Sequence, residues 1–273
     1  MVTQEQRRRQ LAREKFLRQQ QRRTAARRKA NVRNSVIASV LGVIVVGSVL
    51  SYATGVFKND DSKSNASAEV TPSASPPSKA PDPCQKPAEG AVKSLSWKKE
   101  PAMTIDTSAK YELKLATTCG DIDVALKTAA APHTVNSFNF LASKGYLDHT
   151  KCHRLTTNGI YVLQCGDPKG TGMGGPGYTL PDENLKDKTL KNNIYPAGTI
   201  AMANTGQAHT GGSQFFLVYQ DSQLPPSYTP FGTISASGMK VLKKIAAAGE
   251  ATGQGDGAPN ATVVINKATV TKS

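Results

Sequence analysis

The longest apolar stretch of the chain lies near its start. From Asn34 to Phe57 there is no charged side chain, and the centre reads Val36-Ile37-Ala38-Ser39-Val40-Leu41-Gly42-Val43-Ile44-Val45-Val46-Gly47-Ser48-Val49-Leu50. About 20 apolar residues cross a bilayer as a helix. A buried soluble helix of that length carries a polar face, and this stretch offers only Ser, Gly and Thr. Residues 35–57 are therefore predicted to form a transmembrane helix. After residue 103 the periods become short. Tyr111-Glu112-Leu113-Lys114-Leu115 and Ile122-Asp123-Val124-Ala125-Leu126 alternate apolar and polar positions, as half-buried strands do, and Thr118-Cys119-Gly120-Asp121 reads as the turn of a hairpin between them. From His133 to Lys144 the spacing of Val135, Phe138, Phe140 and Leu141 is helical, with Gly145 as the stop. Further strands are predicted at His153–Leu155, Tyr161–Leu163, Thr199–Ala203, Gln214–Tyr219, Thr229–Ile234 and Val263–Val270, and a second helix at Gly238–Ala248. The glycine-rich stretch from Gly166 to Tyr178 reads as a flexible surface loop. Short strands in this number, with two helices and no internal repeat, predict a mainly β domain: a closed eight-stranded antiparallel β-barrel capped by two α-helices.

Between the two regimes lies a stretch that can bury nothing of its own. Residues 58–101 hold seven prolines and many Ser, Ala and Lys, as in Thr71-Pro72-Ser73-Ala74-Ser75-Pro76-Pro77. That composition predicts an extended or disordered linker over 58–102, with Trp97 packing on the edge of the domain that follows. The folded domain is expected over 103–273.

Charge sharpens this division. The formal net charge is +14, from 34 basic and 20 acidic residues. Twelve Lys/Arg and two Glu fall in residues 1–34, a balance of +10; the remaining 22 basic and 18 acidic residues leave +4. Runs such as Arg7-Arg8-Arg9 and Arg27-Arg28-Lys29 could bind nucleic acid. Beside an apolar span they read instead as a topology signal that keeps the tail cytoplasmic and sends the rest across, with contact to anionic lipid as a side role. The expected protein is single-pass in the cell membrane, with an extracytoplasmic domain and no nucleic-acid partner. The alternative is a long signal peptide cleaved near Ala53, where Ser51-Tyr52-Ala53 supplies small residues.

On the translocated side disulfides form, and all four cysteines, Cys84, Cys119, Cys152 and Cys165, lie there. Cys152 and Cys165 flank one predicted hairpin and could face each other across it, which would leave Cys84 for Cys119. Three pairings remain open. There is no C-x-x-C, and His133, His149, His153 and His209 show no ligand spacing, so no metal is expected. Ser213 lacks the second glycine of a nucleophile elbow. The glycine-rich loop has no following Lys-Ser/Thr, so it is not a phosphate loop. What remains is Arg154 and Gln164 within the apolar stretch Cys152–Asp167, where a guanidinium is costly unless it is needed. Met202-Ala203-Asn204 and Gly211-Gly212-Ser213-Gln214-Phe215-Phe216 share the same character. An apolar pocket with one cation and a few amides, without an acid–base pair, suits a reaction that breaks no bond and needs no cofactor.

Taken in order, His153-Arg154-Leu155, Gln164-Cys165-Gly166-Asp167, Met202-Ala203-Asn204, Gly212-Ser213-Gln214-Phe215-Phe216 and Phe231-Gly232 resemble the motifs of the cyclophilin-type peptidyl-prolyl cis-trans isomerases. The resemblance covers about residues 103–273 and is strongest to the membrane-anchored bacterial members. It implies isomerisation of Xaa-Pro bonds, assisting the folding of exported proteins, with proline-containing polypeptides as partners and a monomeric protein. The alternative is a proline-peptide-binding or chaperone module with little turnover. It makes Arg154 the catalytic arginine and Gln164 the glutamine that orients it. Tyr161 and Val162 fall on the pocket wall, Phe216 on the floor of the proline pocket, and Gln214 beside it. Asn204 grips the peptide before proline through its backbone, flanked by Ala203 and Thr205. His153 reads as a structural histidine with satisfied ring nitrogens. Leu224 stands where many members carry tryptophan, which bears on cyclosporin binding, and Tyr228 where many carry histidine. The Arg154-to-Gln164 spacing is two residues longer than in eukaryotic members, through the loop Thr156–Gly159.

Overall fold

The structure, a computed structural model, describes residues 81–272. The basic tail, the span expected at 35–57 and the linker as far as residue 80 lie outside the described residues. Among the described residues no helix is long and apolar enough to cross a membrane.

The strands are β1 (Tyr111–Thr117), β2 (Gly120–Leu126), β3 (Thr150–Lys151), β4 (Arg154–Thr156), β5 (Val162–Cys165), β6 (Ile194–Tyr195), β7 (Thr199–Met202), β8 (Phe215–Val218), β9 (Ser222–Gln223), β10 (Pro230–Ile234), β11 (Asp256–Gly257) and β12 (Val264–Lys272). The helices are α1 (Pro132–Ser143) and α2 (Ala236–Ala247). Ten strands form one antiparallel sheet in the order β11-β4-β5-β8-β7-β10-β2-β1-β12-β3, and β6 pairs with β9 apart from it.

The expected closed eight-stranded barrel is thus corrected to a curled ten-stranded sheet whose ladder does not close. The reason is local. Residues 150–156 would have to pair with β12 on one side and β5 on the other. Instead β3 pairs with β12, and Cys152 N–H still donates to Val263 O at 3.0 Å. One residue later His153 N–H donates to Gln164 O at 3.1 Å, and β4 continues along β5. The chain changes partner at Cys152–His153: β3 keeps to β12 and β4 lies between β5 and β11, so no strand joins β12 to β5 across the seam.

The alternation in β1 and β2 does what the sequence implies: Leu113, Leu115, Ile122 and Val124 point inward and are almost completely buried. β7 and β8 differ, being buried at every position. Ile200, Met202, Phe215 and Leu217 belong to the main core, whereas Ala201, Phe216 and Val218 join a second cluster with Val162 and Tyr195 on the opposite face. Both faces are covered, so the strands read as continuous apolar runs. This second cluster carries the site.

The helices close the main core. α1 has no cap from Ala131, but Pro132 suits a first helical turn. The Glu183 carboxylate stands in for the cap, accepting the N–H groups of His133 at 3.0 Å and Thr134 at 2.9 Å. Phe138 then meets Phe231 and Phe215, with centroids 4.7 and 5.5 Å away. α2 starts two residues before its predicted position because Ser235 Oγ accepts Gly238 N–H at 3.0 Å, a side-chain cap. Gly238 is required there, since an added Cβ would lie 2.9 Å from Ile234 Cγ2.

Residues 81–101 form no regular element, yet they are fastened to the domain. Cys84 bonds to Cys119, and Cys152 to Cys165, which selects one of the three pairings. Gln85 N–H donates to Thr118 O at 2.8 Å and Trp97 N–H to Pro176 O at 2.8 Å. The Trp97 ring meets Phe140 edge-on at 4.9 Å and Tyr146 at 5.8 Å. A segment too poor in apolar residues to build a core borrows the core of the domain beside it.

Candidate active site

Strand pairing sets the site. Arg154 lies opposite Gln164, Gln164 opposite Phe216, and Phe216 opposite Ala201. Directly paired residues present their side chains to one face. A cation, an amide, a ring and a methyl therefore stand in one row across β4, β5, β8 and β7. Val162 and Val218 form the neighbouring row on that face.

The row is tied by a polar relay. Arg154 Nη1–H donates to Gln164 Oε1 at 3.2 Å. Gln164 Nε2–H donates to Gln214 Oε1 at 2.9 Å, and Gln214 Nε2–H to Gly174 O at 2.8 Å. On its other side the guanidinium donates from Nε and Nη2 to the two carboxylate oxygens of Asp256, each at 2.8 Å. The hydrogen bond to Asp256 raises the Arg154 pKa further, outweighing its partial burial, so the group is always a cation.

The Phe216 ring, 5% exposed, is met edge-on by Tyr228 at 5.4 Å and tilted by Tyr195 at 6.3 Å. Tyr195 Oη–H donates to Tyr228 O at 2.8 Å, and Tyr228 N–H donates back to Tyr195 Oη at 3.2 Å. Burial pushes the Tyr195 pKa up to about 12, so this hydroxyl stays neutral. Leu224, Ala203 and Ile160 pack against the same cluster. Tyr161, expected on the wall, does not join it: its ring stacks edge-on against Tyr219 at 5.8 Å. Ile160 takes the place beside Val162, because alternation puts 160, 162 and 164 on one face.

Asn204 is fixed through its side chain, which donates to Ser227 O at 2.8 Å and accepts Gly206 N–H at 3.0 Å. Among the described residues nothing pairs with its own backbone N–H or C=O. Thr205 is tied to Thr210, its N–H reaching Oγ1 at 3.1 Å. Gln164, Gln214, Ala203, Asn204 and Thr205 also border a cavity of about 550 Å³ whose far wall is the glycine-rich segment.

That segment is not the flexible loop its composition suggests. Asp167 is fully buried, and its carboxylate accepts N–H groups from Lys169 at 2.8 Å, Thr171 at 2.9 Å and Gly172 at 2.7 Å. Burial alone would raise the Asp167 pKa; the N–H groups of Gly174, Lys169, Thr171 and Gly172 outweigh that and hold it below the usual value. A Cβ on Gly174 would come within 1.9 Å of the Asp167 carboxylate. The glycines let the chain wrap a buried anion. His153 also departs from expectation, since both ring nitrogens are buried without partners. Desolvation, the largest effect, lowers its pKa and keeps the ring neutral.

Asp256 and Ile160 were not marked by the sequence, and Asp167 was marked only as the end of a motif, without a role. Asp256 sits among glycines in Gly253-Gln254-Gly255-Asp256-Gly257, where an acidic residue looks like ordinary turn chemistry. Among the described residues no group of three or more His, Cys, Asp or Glu could hold a metal ion.

A mainly β domain with a guanidinium, an amide and an aromatic ring in one row narrows the class, and the comparison of sequences completes it. Residues 112–270 match the family described as "Cyclophilin type peptidyl-prolyl cis-trans isomerase/CLD". That is more than half of the chain, and the chain belongs to this family. Among its relatives, "Probable peptidyl-prolyl cis-trans isomerase B" of Mycobacterium leprae is 51% identical over 165 residues, covering 58% of this chain and 56% of the relative. The Mycobacterium tuberculosis protein of the same name is 50% identical over 165 residues, 58% of this chain and 53% of the relative. The chain thus spans about half the length of these curated relatives. A crystal structure of a Cryptosporidium parvum cyclophilin type peptidyl-prolyl cis-trans isomerase is 26% identical, with a TM-score of 0.49, covering 60% of this chain and 99% of that one.

Proposed function

We propose that the protein is a peptidyl-prolyl cis-trans isomerase acting on Xaa-Pro bonds. The observation that carries this reading is the single row of Arg154, Gln164 and Phe216, which sets a fixed cation in line with an aromatic ring on one face of the sheet. An Xaa-Pro bond turns over a barrier of about 18–20 kcal/mol, because amide resonance must be broken. In the twisted transition state the proline nitrogen is pyramidal and its lone pair is localised. A guanidinium donating to that nitrogen is worth more then than in the planar ground state, as catalysis requires. A charge-assisted hydrogen bond contributes roughly 1.5–3 kcal/mol, whereas a thousandfold acceleration needs about 4 kcal/mol. Arg154 alone therefore falls short. Seating the proline ring on Phe216, with the Asn204 backbone holding the residue before it, supplies the remainder by orientation. No bond to carbon is made or broken, so the site's lack of an acid–base pair suits the reaction.

The proposed setting is extracytoplasmic. Two disulfides support it, since such bonds persist in oxidising compartments. With residues 35–57 as a membrane anchor, the natural substrates would be exported polypeptides.

The test is acceleration of cis-trans exchange in an Xaa-Pro peptide. Wild type accelerates it, and Arg154→Ala loses most of the effect. Equal rates for the two would end this reading and leave a proline-binding module. A reporter fused after Ser273 tests the setting: it works outside the cytoplasm, and activity only inside would overturn the proposed topology.

A further inference from the structure

Asp256 holds Arg154 by two hydrogen bonds of 2.8 Å, and the fold holds Asp256. It lies in β11, opposite Thr156 of β4 and so diagonal to Arg154 on the same face. Its approach is fixed by Gly255, which has φ +90° and no room for a side chain, Asn158 Cβ lying 2.5 Å from where a Cβ would be. Thr157 N–H donates to Gly255 O at 2.9 Å. The lengthened β4–β5 loop, Thr156–Gly159, is therefore the seat on which β11 rests. From the other side the buried Glu250 carboxylate accepts Thr252 N–H at 2.6 Å, Thr252 Oγ–H at 2.7 Å and Gly255 N–H at 2.8 Å.

Such a mount is not explained by stability. The Arg154 and Asp256 side chains are 37% and 56% exposed, and an ion pair that open contributes little to folding. An arginine at a rim samples many rotamers, and ordering it beforehand removes that loss from the catalytic step. Asp256 and Gln164 together commit Nε–H, one Nη2–H and one Nη1–H. The remaining N–H groups of the fork are left for a ligand.

We propose that Asp256 is the positioning residue of the Arg154 guanidinium, and that the long β4–β5 loop and the Glu250 turn are its mount. The proposal rests on Arg154 acting on the proline nitrogen. A carboxylate could instead weaken catalysis by damping the cation, so the sign of the effect is itself the test. Exchange of an Xaa-Pro peptide is measured by NMR, with kcat and KM separated, for wild type, Asp256→Ala, Asp256→Glu, Arg154→Ala and the double variant Arg154→Ala/Asp256→Ala. Asp256→Ala lowers kcat about tenfold with KM nearly unchanged, the mark of an interaction expressed in the transition state. Its melting temperature matches wild type, Asp256→Glu recovers part of the rate, and Asp256→Ala has no further effect once Arg154 is gone. An unchanged or raised kcat in Asp256→Ala, while Arg154→Ala is inactive, overturns the positioning role and leaves the isomerase reading intact. So does an equal loss from Asp256→Ala with and without Arg154. If Arg154→Ala is as active as wild type, it is the isomerase reading that fails.

Discussion

Replacing Cys152 and Cys165 together by alanine tests how the open seam of the sheet is held. The β4–β5 ladder ends at the Arg154–Gln164 pair, and one step beyond it the chain leaves for β12. The disulfide sits there, covalently closing the end of a ladder that hydrogen bonds leave unfinished. Its sequence separation of 13 corresponds to about 3 kcal/mol of freedom removed from the unfolded chain. For a domain of this size each kcal/mol moves the midpoint by about 2–4 °C, so the variant should melt about 6–12 °C lower. Cys152 is 5% exposed and Cys165 is fully buried, so lost sulfur packing adds to that figure. Alanine is the right replacement, because serine would bury two hydroxyls without partners. The assay is thermal unfolding in the background Cys84→Ala/Cys119→Ala, where only the Cys152–Cys165 bond remains. Adding a thiol reductant there should reproduce the shift, slowly, since both sulfurs are reached only through opening of the seam. Activity measured well below the midpoint should stay of the same order as wild type, because Asp256 and Gln164 still hold Arg154. A shift below about 3 °C, well under the loop-closure expectation, would refute the view that this bond supports the seam.

Acid should act in part through Asp167, beside Asp187, Asp106 and Glu250, whose pKa values are also lowered. The Asp167 pKa is lowered in the folded protein, so its contribution is complete above the unfolded value of about 4 and is lost as pH falls through the folded value. Melting scans from pH 6 to pH 2 should show that loss, and Asp167→Asn should make the acid limb shallower; an unchanged acid limb would show that the other carboxylates set it. Trp97→Ala removes a half-buried ring from Phe140 and Tyr146. It should cost about 2 kcal/mol, less than the 3–5 of a fully buried ring, and should expose residues 81–101 to limited proteolysis. Wild-type resistance in that variant would mean that the Cys84–Cys119 bond and the backbone hydrogen bonds of this segment secure it without the ring.

What could be read from the sequence depended on whether a residue broke a local pattern. β1, β2 and α1 each bury one face, so their periods mark them. β3, β6, β9 and β11 are two residues long and have no period; only their partners make them strands. The expectation of a closed barrel came from counting strands, and counting cannot show that residues 150–156 must choose between β12 and β5. Composition denied residues 81–101 a core of their own, and it could not say that Cys84 and Trp97 would use the domain's. Arg154, Gln164 and Gln214 stood out because charge and amides are rare in apolar strands, and these three form the relay. Asp256 did not stand out, since an acidic residue among glycines is what turns contain, and its meaning lies in a diagonal across two strands. The same logic explains the one pocket residue whose neighbour took its place. In β8 every position is apolar, so the strand alone does not reveal which face meets the main core. Its partners decide: Gln164 lies opposite Phe216, and an amide held at the surface by Arg154 marks that face as the candidate site. Stepping back by twos from Gln164 reaches Val162 and then Ile160, not Tyr161. An aromatic residue was the natural choice for a pocket wall by type, but strand parity outranks type.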